Sequence, residues 1–431
     1  MNAIAEQSPA DTRGRTDDRE RRWRLAVFLA FATALNYADR AALSAVLPAV
    51  RTEFGVSDVA LGLLGSVFLW TYALGSPFAG WLADRTSRGR IVVGSLAAWS
   101  AVTAVIGLAT GYPMLLALRI ALGVAECLFL PAAIALVADY HGNATRGRAL
   151  SLVSLGISGG MVFGGSFAGF MADRAGWRSG FIILGVAGVA LALLARTMLP
   201  PPAAADHGPP APRRASFADA LRYLARVPSY YVLLLESLLS GFAMWMFFGW
   251  LPLYFSETYD MTLAGAGFAG TFVLQISVML GVLAGGWLSD RFAAGAPHRR
   301  MLLYGAFYLL AAPFLLLFRG RPDFWVVATG IAAFSFLRGV GQSNDNPTQC
   351  EIVPAQFRST GIGFMNAVAT ASGGCGVFLA GFLKRTLGLG TIFACIAGIF
   401  LVAGIALLIG YRRFMRADIA RAQAWEKTAR A

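Results

Sequence analysis

Gly80-Trp81-Leu82-Ala83-Asp84-Arg85 closes one apolar run, and Gly286-Trp287-Leu288-Ser289-Asp290-Arg291 closes another in the second half of the chain. One such hexapeptide would be no more than a polar cap on a helix at a membrane surface. Two nearly identical copies, each ending the second apolar run of its half, mark a duplicated unit. Arg88 and Arg90 follow the first copy and Arg299 and Arg300 the second, while Arg146 and Arg358 form a weaker echo further along. Working outward at about 20 apolar residues per crossing, the first half divides into spans 25–50, 59–83, 91–110, 114–138, 149–172 and 179–199. The second half divides into 229–255, 265–288, 301–319, 325–349, 359–383 and 391–411. The predicted fold class is an all-α integral membrane protein of twelve helices in two six-helix bundles, 25–199 and 229–411. A Pro- and Ala-rich linker, 200–228, joins them. Parallel repeats of this kind place a substrate site between the bundles, near the midplane.

Composition agrees. The 431 residues are 57% hydrophobic and only 14% charged, with a mean hydropathy of +0.62, against about 25% charged in soluble domains. The net charge of +13 would suit nucleic acid were it not distributed by topology. One side of the membrane keeps only Arg51, Arg174, Arg178, Arg319, Arg321, Lys384 and Arg385. Apart from three arginines inside the spans, the rest fall in the tails, the linker and the loops of the other side. Basic residues collect on the cytoplasmic side, so both termini are expected there, in a cell inner membrane, with no role for nucleic acid. Residues 1–24 lack an apolar core and read as a disordered cytoplasmic tail rather than a signal peptide, and 412–431 as a second cytoplasmic tail. The four cysteines are scattered singly, with no metal or redox spacing.

No nucleotide-driven chemistry is legible. The two lysines, Lys384 and Lys427, lack the glycine-rich context of a phosphate-binding loop. The glycine-rich run Gly156 to Gly169 lies inside a span, where close helix packing explains it. No cofactor or metal is expected, and no intramembrane enzyme, since no His cluster or Ser/His pairing falls in the spans. His141, His207 and His298 fall in loops, so a proton carried through the membrane would have to ride on carboxylates.

Very few carboxylates lie in the spans. Asp39, Arg40, Arg119 and Glu126 fall near mid-span in the first half. Each charge at the bilayer centre costs at least about 2.5–3.5 kcal/mol on insertion scales, so the four should face a cavity and pair. Arg119 and Glu126 are two turns apart on one helix face and could meet each other or a partner on span 1. Asp39 and Arg40 point about 100° apart and should serve different neighbours. Arg40 is read as the anion clamp, because a guanidinium binds carboxylate through two parallel hydrogen bonds. Glu126 is read as a proton switch, Asp39 as a second protonation site. In the second half, Gln275, Asn344 and Asn366 could hydrogen-bond a substrate, with Arg119, Tyr37, Tyr72 and Trp245 lining the cavity. Arg338 and Asp345, also seven residues apart, are read as gate contacts, with substrate binding left open as their alternative. Glu236, in the first turns of span 7, is expected to be solvated.

The paired hexapeptides resemble the loop 2–3 motif of the major facilitator superfamily and its repeat in loop 8–9, and the resemblance covers nearly all of residues 25–411. It implies that Asp84 and Asp290, with Arg88 and Arg146 nearby, help latch the cytoplasmic side. Within the superfamily, Asn36-Tyr37-Ala38-Asp39-Arg40, Arg119 with Glu126, and Trp250-Leu251-Pro252-Leu253-Tyr254 resemble the anion:cation symporters, which include sugar-acid and aromatic-acid transporters. Asn366 sits where that family often has a polar residue. The resemblance implies import of a small organic anion, a sugar acid or related carboxylate, with protons; a monomer is the expected unit. Val46-Leu47-Pro48 and parts of span 4 are similar to Spinster lipid transporters, which would imply amphiphile export instead. Drug/proton antiport is the third alternative, disfavoured because Gly165 stands where such antiporters carry proline after Gly160-Met161-Val162-Phe163-Gly164.

Overall fold

A computed structural model of the chain describes residues 9–83, 86–198, 217–320 and 322–430. Among these, every regular element is helical. The first half comprises α1 (Pro9–Phe54), α2 (Asp58–Ala83), α3 (Arg88–Ile106), α4 (Tyr112–Glu126), α5 (Phe129–Tyr140), α6 (Asn143–Ala175) and α7 (Trp177–Met198). A short helix, α8 (Phe217–Leu224), precedes the second half. That half comprises α9 (Pro228–Tyr259), α10 (Leu263–Phe292), α11 (Arg299–Ala311), α12 (Phe324–Gln342), α13 (Asp345–Ile352), α14 (Arg358–Leu387) and α15 (Leu389–Arg413), followed by α16 (Met415–Arg430).

Eleven stretches are long and apolar enough to cross a membrane. The twelfth crossing is α1, whose apolar run is interrupted by Asn36, Asp39 and Arg40. Two crossings are each made of two helices. In the fourth, α4 ends at Glu126 and α5 resumes at Phe129; in the tenth, α12 ends at Gln342 and α13 resumes at Asp345. Proline explains both breaks. Pro131 and Pro347 have no N–H to donate and clash with the carbonyl four residues earlier, that is, with Cys127 and Ser343. Pro313 acts in the same way in the ninth crossing, where α11 gives way to a 3₁₀ turn over Ala312–Phe318.

The glycine-rich run on α6 is a packing face. Gly156, Gly160 and Gly164 lie directly over the backbone of Ala30, Ala34 and Ala38 on α1, and a Cβ at any of the three would strike it. This close approach is how small residues hold membrane helices together without a hydrophobic drive.

Three stretches read as tail or linker carry helix. The stretch read as a disordered N-terminal tail is helical from Pro9 onward, continuous with the first crossing. The second part of the linker forms α8, whose Ala220, Tyr223 and Leu224 are buried; residues 199–216 lie outside the described residues. The C-terminal stretch is also built in. Asp418 on α16 is buried and accepts from the backbone N–H of Ser229 at 2.8 Å. Trp425 packs on Tyr223 and Phe357.

With twelve crossings both chain ends lie on one face, here the terminal face; the other is the distal face. Among the described residues, every hydrogen bond and ion pair between the halves lies in the distal part of the bundle. On α2 and α14, Ser66 donates to the Gly374 carbonyl at 2.7 Å and Trp70 to that of Ala371 at 3.2 Å. On α6 and α10, Asp173 accepts from the backbone N–H groups of Leu263 and Ala264. Toward the terminal face, Leu74, Phe78, Leu155, Leu280 and Leu283 of these same helices are exposed. The halves are sealed distally and part toward the terminal face.

Candidate substrate and proton site

Where the seal ends, the four mid-span charges of the first half come together. Asp39, Arg40, Arg119 and Glu126 are all buried, none more than 5% exposed. Arg40 Nε donates to Glu126 Oε2 at 2.9 Å and its Nη2 to Asn36 Oδ1 at 3.3 Å. The guanidinium carbon stands 4.6 Å from the centre of the Tyr37 ring and 4.5 Å from that of Tyr72. A planar cation between two aromatic rings is oriented as well as stabilised.

Arg119 does not pair with Glu126, although the two share a helix face. Its Nε donates to the Leu64 carbonyl at 3.3 Å, and its guanidinium lies 4.6 Å from the Phe68 ring centre. Asp39 turns the other way and accepts from Thr103 Oγ1 on α3 at 3.0 Å. One polar atom on each of three charged groups is buried without a hydrogen bond: Arg119 Nη1, Asp39 Oδ1 and Glu126 Oε1. The cluster is neutral as a set, two guanidiniums against two carboxylates, yet incompletely satisfied. Such groups are expected to acquire partners during function.

Arg40 and Arg119 form one wall of a narrow cavity of about 40 Å³ between the halves. Ser44 adds a hydroxyl; Leu43, Leu47, Phe68, Trp245, Phe248 and Trp250 supply most of the remaining lining. A larger groove, against Trp23, Phe31 and Leu194 on α1 and α7, carries none of these charges. Of the other residues expected to bind substrate, Trp245 lines the arginine cavity, whereas Tyr37, Tyr72, Gln275, Asn344 and Asn366 do not. Gln275 donates to Met161 Sδ at 2.7 Å, across the halves. Asn344 donates to the carbonyls of Val340 and Gly341, finishing its own helix. Asn366 is exposed.

The residues read as gates pair within their own halves. Arg88 binds both carboxylate oxygens of Asp139. Arg146 donates to the Ala138 carbonyl at 3.0 Å, and Asp290 stands 3.7 Å from Arg300. Arg338 donates to Gln342, and Asp345 accepts from Gln349. Asp84 lies outside the described residues. The contacts that do join the halves were not anticipated. At the distal face Lys384 lies 2.8 Å from both Asp58 and Glu257, and Arg51 lies 2.6 Å from Glu257 and 3.3 Å from Asp58. Arg51 and Asp58 belong to the first half, Glu257 and Lys384 to the second. The available signal was a lysine, one of two in the chain, opposed by acids at neighbouring helix ends on a face otherwise poor in charge. Glu236 was expected to be solvated and is buried instead, held by Tyr308; the polar partner on α11 that makes burial tolerable lies far away in sequence.

The sequence profile of the Major Facilitator Superfamily matches residues 29–347. The chain belongs to the major facilitator superfamily. Among its curated relatives in the superfamily is the cis,cis-muconate transport protein of Acinetobacter baylyi, 26% identical over 91% of this chain and 95% of that one. The 3-(3-hydroxy-phenyl)propionate transporter of Escherichia coli is 30% identical over 89% and 93% of the two chains. The probable galactarate/D-glucarate transporter of Bacillus subtilis is 32% identical, over 40% of this chain and 39% of its own. A bacterial homologue of the lysosomal transporter Spinster, solved inward-facing and unoccupied, superposes with a TM-score of 0.73 at 21% identity, covering 92% of this chain and 97% of that one. That likeness establishes the fold. This superfamily member is a multi-pass membrane transporter, not an enzyme, and its relatives carry small organic acids.

Proposed function

We propose that this transporter imports a small organic anion together with protons, by alternating access, with Arg40 and Arg119 as the anion-binding groups and Glu126 and Asp39 as the proton carriers. The observation that carries the reading is the buried Arg40–Glu126 pair, whose arginine lines the inter-half cavity beside a second guanidinium that is not fully bonded. A carboxylate guest would compete with Glu126 for Arg40. Removing one partner of a buried pair is strongly destabilising, so displaced Glu126 is relieved most cheaply by taking a proton. Anion binding and protonation then favour each other, which is the thermodynamic requirement for symport. Asp39, bound by Thr103 rather than by a cation, is the second carrier.

Within organic anions, the lining favours a carboxylate on an aromatic or unsaturated body over the sugar acid expected from the motifs. The walls are aromatic and aliphatic, and Ser44 is the one hydroxyl among the lining residues. Each buried substrate hydroxyl left without a partner would cost about 1–3 kcal/mol. Placement of the basic residues supports a cytoplasmic terminal face in an inner membrane, which makes the described conformation inward-facing. Because the cavity lies within one chain, we take the monomer as the transporting unit.

Reconstitution in liposomes tests the coupling. Glu126→Gln and Asp39→Asn should retain anion exchange but lose accumulation driven by a pH gradient, and Arg40→Ala should lose both. Full proton-driven accumulation in both neutral variants would sink the assignment.

A further inference from the structure

The second half holds a buried charged cluster of its own, which the arginine cavity does not use. Glu236 on α9 is 2% exposed, and its Oε1 accepts from Tyr308 Oη at 3.0 Å. The Tyr308 hydroxyl is 3.5 Å from that of Tyr304 and 3.4 Å from Ser240 Oγ. Phe400 of α15 covers the Tyr308 ring. The charged neighbours are Arg338 from α12 and Asp345 from α13. Nothing ionisable faces Glu236 from α15, and α14 contributes the small residues Ala369, Ser372 and Gly376 to its contact with α9. Among the described residues no cation lies within ion-pair distance of Glu236. Arg338 instead donates to Gln342, and its Nε is buried without a partner.

Two features make this more than a packing detail. The first is a correspondence between the halves. On α1, Asp39 accepts a hydroxyl from Thr103 of α3; on α9, Glu236 accepts a hydroxyl from Tyr308 of α11. In each half the first crossing supplies an acid and the third supplies its hydroxyl donor. The second is the balance of charge. The first half has two guanidiniums for two carboxyls, whereas here Arg338 is the single guanidinium in a cluster with two carboxyls, Glu236 and Asp345, and it is ion-paired with neither. A net negative charge enclosed in a membrane protein is expensive, and a buried group neutralises in preference to paying that cost. Asp345 is partly open and takes an amide donor from Gln349. Glu236 is enclosed and takes its hydrogen bond from a neutral hydroxyl.

We propose that Glu236 is a further proton-binding site, in the C-terminal half, neutral in this conformation and able to release its proton when the halves rearrange. Release moves one proton from the Glu236 carboxyl to water at the terminal face, and the carboxylate left behind is compensated by Arg338, whose Nε is free to bond. The assignment extends the proton-coupled reading but is tested without substrate, so either can fail alone.

The experiment uses purified full-length protein. Glu236→Gln keeps the oxygen that accepts from Tyr308 and mimics the protonated acid. The infrared spectrum at neutral pH should lose a carboxylic-acid carbonyl band in this variant. In an Asp39→Asn/Glu126→Gln background, the distribution between distal-closed and distal-open forms, read by spin-label distances, should depend on pH; adding Glu236→Gln should lower that dependence by about one proton. Tyr308→Phe keeps the acid but removes its donor, so the band should persist and move to higher frequency. The site is overturned if the band survives Glu236→Gln, or if the pH dependence is unchanged. Should that variant not fold, an unmoved band in Tyr308→Phe overturns it equally.

Discussion

Lys384→Ala should open the distal face. The Lys384 side chain is 9% exposed and bonds at 2.8 Å to one carboxylate from each half, Asp58 and Glu257. Exposed ion pairs contribute about 0–1 kcal/mol; a nearly buried ammonium serving two acids lies above that range, at roughly 1–3 kcal/mol for both together. After its removal Asp58 and Glu257 share only Arg51, itself about one-third exposed. All of this stabilisation belongs to the distal-closed form, because the partners separate when the halves part. A coupling of about 1–3 kcal/mol changes the ratio of the two forms about 5- to 150-fold. Adding Asp173→Ala removes the acceptor for Leu263 and Ala264 N–H, worth about 1 kcal/mol more, and the two sites share no partner. The assay is a spin-label distance across the distal loops, from Thr110 to Trp325, with Cys127, Cys350, Cys375 and Cys395 replaced. The long-distance population should grow in Lys384→Ala and grow further in the double variant. An unchanged distribution in both would refute the idea that this charge box holds the face shut.

The other outcomes follow from single contacts. Gly160→Leu should abolish folded protein, and Gly160→Ala should lower thermal stability in detergent by about 1–3 kcal/mol, since even a Cβ meets the Ala34 backbone. Glu126→Ala strands Arg40 in the interior and should destabilise by about 3–5 kcal/mol, whereas a bound carboxylate should restore part of the loss in a thermal-shift assay. In the same assay benzoate should stabilise wild-type protein more than gluconate, and Arg40→Ala should erase the difference; equal stabilisation by both would remove the case for an apolar substrate body. Asp418→Ala should free α16 and raise tryptic cleavage at Arg416 and Arg421 several-fold without abolishing transport.

Hydropathy, the paired hexapeptides and the placement of arginine were enough to predict twelve crossings in two similar halves, because each is a local property averaged along one helix. The two prolines that break the fourth and tenth crossings could be read in the same way. The sequence also singled out Asp39, Arg40, Arg119 and Glu126, since charge inside an apolar run is conspicuous whatever surrounds it. Partnership was not legible. A helix turns its side chains by about 100° per residue, so whether Glu126 meets Arg119 two turns away or Arg40 on another helix depends on how α1 and α4 are rotated against each other. Only the packed bundle decides that, and it chose Arg40. The same holds for Glu236, whose burial depends on a tyrosine on α11, and for the distal box, whose four members come from four helix ends brought together only when the halves close. Local chemistry named the charged groups; three-dimensional packing assigned them to one another.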